Sequence, residues 1–139
     1  MRRAKPYGKI ELGSLVLIAA IVGFVYSAWV FSTPVLDNLD VKEAIDMALN
    51  QSRRSDHDLQ RLILNRLSRV GTHQAVDDFG NEVEEQGLGL TEENVYVERD
   101  EVAGTLLIRV SYDRVVQLKP SQHTYTLSFS PEKEGPISR

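Results

Sequence analysis

From Leu12 to Phe31 the chain reads LGSLVLIAAIVGFVYSAWVF, 20 residues without a formal charge. A helix of that length measures about 30 Å, the thickness of a bilayer's hydrocarbon core. Beyond Pro34 the pattern becomes amphipathic. Val41, Ala44, Ile45, Ala48 and Leu49 recur at i, i+3, i+4, i+7 and i+8, the stripe of a helix with one buried face. This helix runs on from the apolar segment with a kink near Pro34 and ends near Asn50–Arg54. Asp37, Asp40, Glu43 and Asp46 mostly face away from the stripe or load its N-terminal half, as the helix dipole favours. A second helix starts at Ser55, with Asp58 at the third position of a near capping box. Leu59, Leu62, Ile63, Leu67 and Val70 form its apolar face, and Gly71 is its stop. Ala75, Val76, Phe79 and Val83 keep helical spacing and predict a short third helix ending before Gly87, although Gly80 disfavours it.

From Asn94 the period falls to two. Val95 and Val97 alternate with polar neighbours, as do Leu106, Ile108, Val110 and Tyr112, and then Tyr125, Leu127 and Phe129. This is the signature of half-buried strands. The breaks at Asp100–Gly104 and Lys119-Pro120-Ser121 are hairpin-length. The fold class expected is therefore α+β: an N-terminal transmembrane helix, then two or three helices packed on a three-stranded antiparallel meander. The polar tail Pro131–Arg139 is expected to be disordered.

Charge turns the apolar segment into a topology. Arg2, Arg3, Lys5 and Lys9 precede it, and no Lys or Arg follows until Lys42. Tyr7 lies at one end, with Tyr26 and Trp29 near the other, where amphipathic rings settle at the interface. The positive-inside rule then gives a basic cytoplasmic tail at 1–11, a transmembrane helix at 12–31, an extracytoplasmic α+β domain at 32–130 and the tail at 131–139. A cleaved signal peptide, with Val25 and Ser27 ahead of the cut, is the rival. Against it, Ala28-Trp29-Val30-Phe31 continues the apolar run through the supposed cleavage point. A twin-arginine signal lacks the apolar residue after its pair, since Ala4-Lys5-Pro6 stands there. A type IV pilin start needs Glu five residues after Gly, whereas Glu11 is the third after Gly8. Along the span, Ala19, Gly23 and Ser27 recur every four residues. Small residues so spaced form a candidate stripe for helix association, although Gly, Ala and Ser are also common in membrane helices generally.

Net charge is −4 overall. The first 11 residues carry +3, and the other 128 hold 12 basic and 19 acidic side chains, for −7. A domain so acidic is a poor partner for nucleic acid, whose binding rests on neutralised phosphates. There are no cysteines, which excludes disulfides, thiolate metal sites and cysteine nucleophiles. His57, His73 and His123 lack the spacing of a zinc motif, and the acids around Asp77-Asp78 read as a solvated helix face rather than a calcium loop. No serine lies in a nucleophile elbow or a Ser-x-x-Lys arrangement, and Gly87-Leu88-Gly89 is too short to cradle phosphate. Glu98 and Arg99 are expected to pair across strands, with Arg109 or Asp113 as examples. No catalytic residue, cofactor or metal site is predicted.

One resemblance spans most of the chain. Pro34 just after the span, Val41-Lys42-Glu43-Ala44, Val97-Glu98-Arg99, then Gly104, Leu106, Ile108, Val110, Tyr112, Leu118 and Phe129 together resemble a family of proteobacterial single-span membrane proteins. That family is catalogued as domain of unknown function four-eight-four-five. Leu36 stands where those proteins commonly carry an aromatic residue. The resemblance implies a Gram-negative inner-membrane protein with a periplasmic domain, and implies no activity. The expected function is protein–protein interaction in the envelope, as an accessory or scaffold subunit of a membrane complex. The partners would be the lipid bilayer and another membrane or periplasmic protein, or a second copy. The alternatives are a pilin-like filament component and an enzyme with an unrecognised site.

Overall fold

A computed structural model describes residues 11–138 of the protein. Arg2, Arg3, Lys5, Tyr7 and Lys9, on which the topology reading leans, lie outside the described residues. The chain divides into two compact units, the first ending at Ser32 and the second beginning at Thr33.

The first unit holds the apolar part of helix α1 (Leu12–Leu49), 38 residues that pass through Pro34. This helix is long and apolar enough to cross a membrane, and none of its most apolar window is buried. Leu15, Val16, Leu17, Ile18, Ile21, Val22, Phe24 and Val25 are all exposed. Such a helix is compatible with a single-pass membrane protein.

In the second unit the predicted stripe is the core. Val41, Ala44, Ile45, Ala48 and Leu49 are buried, together with Leu59, Ile63 and Leu67 of helix α2 (Asp56–Leu67). Ser55 caps α2 as its sequence indicates: its Oγ accepts the Asp58 N–H at 3.2 Å, and the hydroxyl donates to the Asp58 carboxylate at 2.8 Å. Strands follow in order: β1 (Thr72–Val76), β2 (Glu82–Gln86), β3 (Val95–Asp100), β4 (Thr105–Val110), β5 (Tyr112–Gln117), β6 (Thr124–Phe129) and β7 (Glu132–Pro136). Among the described residues all pairings are antiparallel and fall into three small sheets, β1-β2, β3-β4-β7 and β5-β6. On the inner face of β3-β4, Val95 opposes Val110, Val97 opposes Ile108, and Arg99 opposes Leu106. Leu106, Ile108 and Val110 are fully buried.

The α+β class holds, but three expectations need correction. Among the described residues there are two α-helices, and the segment expected as a third is the β1-β2 hairpin. Ala75, Val76, Phe79 and Val83 fit a helical period only because a five-residue turn separates two strands. That turn is fixed by Asp77, whose Oδ1 accepts the N–H groups of Phe79 and Asn81 at 2.9 and 2.8 Å. Gly80 adopts φ +83°, a conformation that suits glycine in a turn and is foreign to a helix. Second, the meander is split. β4 ends at Val110 and β5 starts at Tyr112 in a separate sheet, so only the β3-β4 and β5-β6 hairpins match the expected breaks. Third, the tail is not without structure. Residues 132–136 form β7 beside β4, Gly135 lies over Leu49, and the Ser138 N–H donates to the buried Ser52 Oγ at 2.9 Å.

Ile108→Ala removes a fully buried side chain from this core and is expected to cost about 2–5 kcal/mol in urea unfolding of the full chain. Val102→Ala, at a fully exposed hairpin tip, is expected to change stability by less than about 0.5 kcal/mol.

Candidate functional site

The polar centre of the second unit forms where α1 meets β5. Asp37 lies four residues before Val41, so the helical stripe that buries Val41 and Ala44 also buries this carboxylate, leaving it 7% exposed. It is one of the four acids expected mostly to face away from the stripe or to load the N-terminal half of the helix. Arg114 lies two residues after Tyr112 on the inward alternation of β5. Its Nη2 donates to Asp37 Oδ2 at 2.7 Å, and its Nη1 donates to the Thr72 carbonyl at the start of β1. Gly71, at φ +63°, passes directly over the carboxylate, where an added Cβ would sit 2.8 Å from Asp37 Oδ2. A side chain there would meet both backbone strain and the charge pair.

Burial pushes the Asp37 carboxyl above its ordinary value, the Arg114 guanidinium pulls it part of the way back, and Asp40 adds to the rise. Beside the pair, Tyr112 stacks on Phe129 with centroids 5.3 Å apart. Its hydroxyl donates to Asn38 Oδ1 at 3.2 Å. Burial, assisted by the nearby Asp37 charge, pushes this phenol up to about 12, so it stays a neutral donor. The arrangement is that of an ion pair closing a packed joint.

A second clamp holds the α1–α2 connection. Arg99 Nε donates to Asp56 Oδ1 at 3.0 Å, and its two Nη groups donate to the carbonyls of Ser52 and Arg54 at 2.9 Å each. The cross-strand pairing expected for Glu98 and Arg99 does not form. Arg99 opposes the apolar Leu106 and turns to the loop instead, Glu98 accepts from the Tyr96 hydroxyl, and Arg109 pairs with Glu132. A shallow cleft of about 360 Å³ opens where β4 passes into β5, lined by Asn94, Ser111, Tyr112, Asp113, Ser128, Phe129 and Ser130. Its serine hydroxyls bond within the cleft: Ser128 donates to Asp113 at 2.6 Å, and Ser111 and Ser130 share a 2.9 Å contact.

The stripe Ala19, Gly23 and Ser27 lies on α1 in the first unit with all three residues exposed. The Ser27 hydroxyl donates to the Gly23 carbonyl at 2.8 Å, so it needs no outside partner. A Cβ added at Gly23 would meet nothing within 4 Å. The three histidines are scattered. His57 lies 3.8 Å from Glu92, His73 Nδ1 is 2.9 Å from the Gly87 carbonyl, and His123 precedes β6. Among the described residues no group of His, Asp and Glu could hold a metal ion.

No family model matches the chain, and no curated protein or solved structure matches it either.

Sequence reasoning passed over Asp37 and Arg114, yet both carry a signal. Each is a charged residue at an inward-facing position of an otherwise apolar period, and two such residues of opposite sign are natural partners. Arg114→Ala leaves Asp37 buried without its cation and is expected to cost about 3 kcal/mol at pH 7. The cost should shrink as pH falls. Asp37's folded pKa lies above its unfolded value, so its neutral form, favoured by burial, is lost as pH rises through the folded value. Urea unfolding of the variant at pH 4 and pH 7 measures the difference.

Proposed function

We propose that this protein is a single-pass envelope protein whose folded unit works by binding other protein, as an accessory or scaffold subunit of a membrane complex. The observation that carries this reading is the charge-free run Leu12–Phe31, which α1 leaves wholly unburied. Such a run is costly in water and is satisfied in lipid, where a helix bonds all its own backbone groups. The basic residues before the run, with none after it until Lys42, favour a cytoplasmic N-terminus and an outward second unit. Periplasmic placement rests on the family resemblance. Interaction is favoured over chemistry because the polar joints described above spend their donors and acceptors on holding elements together. Meanwhile apolar side chains remain outside: Val35, Leu36 and Leu39 on α1, and Phe79, 91% exposed, at the β1-β2 tip. The stripe Ala19, Gly23 and Ser27 offers a further surface, toward another membrane helix or a second copy.

The natural chain has no cysteine, so Val102→Cys creates a single exposed thiol. In bacterial cells with a permeabilised outer membrane, a membrane-impermeant maleimide should label it without rupture of the inner membrane. Labelling only after rupture overturns the orientation. Purification of the full chain in mild detergent should recover it bound to another membrane or periplasmic protein or to itself. A chain recovered alone and monomeric overturns the interaction reading.

A further inference from the structure

β6 has an open edge without a charged side chain. It hydrogen-bonds to β5 on one side, and among the described residues no strand pairs with its other side. Soluble proteins blunt such edges with charged side chains, proline or bulges, because an open edge templates another strand. Other free edges follow that practice, β5 with Asp113 and Arg114 among them, while β1 carries only His73. β2 carries Glu82, Glu84 and Glu85, β3 carries Glu98, Arg99 and Asp100, and β7 carries Glu132, Lys133, Glu134 and Pro136. β6 reads Thr-Tyr-Thr-Leu-Ser-Phe, without Asp, Glu, Lys, Arg, His or Pro, and each of the other described strands holds at least one of these.

The sequence of β6 also matches itself. Run antiparallel to a copy with Leu127 facing Leu127, it sets Tyr125 opposite Phe129 on one face and Thr126 opposite Ser128 on the other. Aromatic–aromatic and Thr–Ser pairs are among the favourable cross-strand neighbours. On the Leu127 face, Tyr125 is 51% exposed in the isolated chain, next to half-buried Leu127 and Phe129. On the opposite face Thr124, Thr126 and Ser128 are exposed. Antiparallel self-pairing of β2 or β7 about its central residue would set Glu84 against Glu84 or Glu134 against Glu134, whereas β6 brings no charge to such a seam.

We infer that a second copy of this chain docks on β6 by antiparallel strand addition, joining two β5-β6 hairpins into a four-stranded sheet about a two-fold axis. The pairing uses the same edge from both chains, so it closes at the dimer. The inference rests on the reading that this protein works by protein binding and names one partner for it.

The test uses the full chain in mild detergent, with sedimentation at matched detergent density and far-ultraviolet circular dichroism to monitor folding. The expected result is twice the chain mass of 15.7 kDa for the natural protein and for Thr126→Ser. For Thr126→Lys, association at least about tenfold weaker is expected. Thr126 is exposed, so lysine there is tolerated by the monomer. As an independent reading, Leu127→Cys should form a disulfide dimer under mild oxidation, because directly opposed strand residues meet the required Cα spacing, while Val102→Cys should not. A monomeric natural protein overturns the inference, and if it holds another protein in fixed ratio the interaction reading survives. A dimer that Thr126→Lys leaves intact and Gly23→Leu dissolves also overturns it, and assigns association to the membrane helix.

Discussion

The stripe from Val41 to Leu49 must be kept from water, and most of the second unit is arranged around that need. Five apolar side chains on one helical face cannot be buried by the helix that carries them. Here α2 supplies Leu59, Ile63 and Leu67, β3 and β4 supply Val95, Leu106, Ile108 and Val110, and Gly135 of β7 closes over Leu49. The same helix, α1, carries the apolar run of the first unit. The apolar run and the core stripe therefore share one element, and a substitution in α1 after Thr33 acts on folding before it acts on anything else.

Polar groups inside this unit fix the connections. Asp37 and Arg114 join α1 to β5, and through the Thr72 carbonyl to the base of the β1-β2 hairpin. Arg99 joins β3 to the loop that links the helices. Buried pairs of this kind add little net stability, because desolvation offsets attraction, but losing one partner is expensive.

Much of this was legible in the residues. The helical stripe, the Ser55 cap of α2 and the inward alternation of Leu106, Ile108, Val110 and Tyr112 all depend on local spacing, and local spacing is what a sequence displays directly. The segment 75–86 misled because two strands and an Asp-fixed turn reproduced a helical period over four apolar positions. The tail misled because Glu132–Pro136 has no strand pattern of its own. Its backbone pairs with β4, and the Ser52 hydroxyl, 86 residues away, accepts the Ser138 N–H. The Asp37–Arg114 pair spans 77 residues, and only its inward-facing positions hint at it. The β6 edge emerged only once the pairing of every other strand was known.

Hydrogen–deuterium exchange of the full chain in lipid nanodiscs, loaded with one copy or with two, tests the central claim most directly. If the folded unit works by strand pairing beyond its anchor, the β6 amides exchange more slowly in two-copy discs, while those of β1 and β2 are unchanged. Identical exchange along β6 in both preparations would contradict the account.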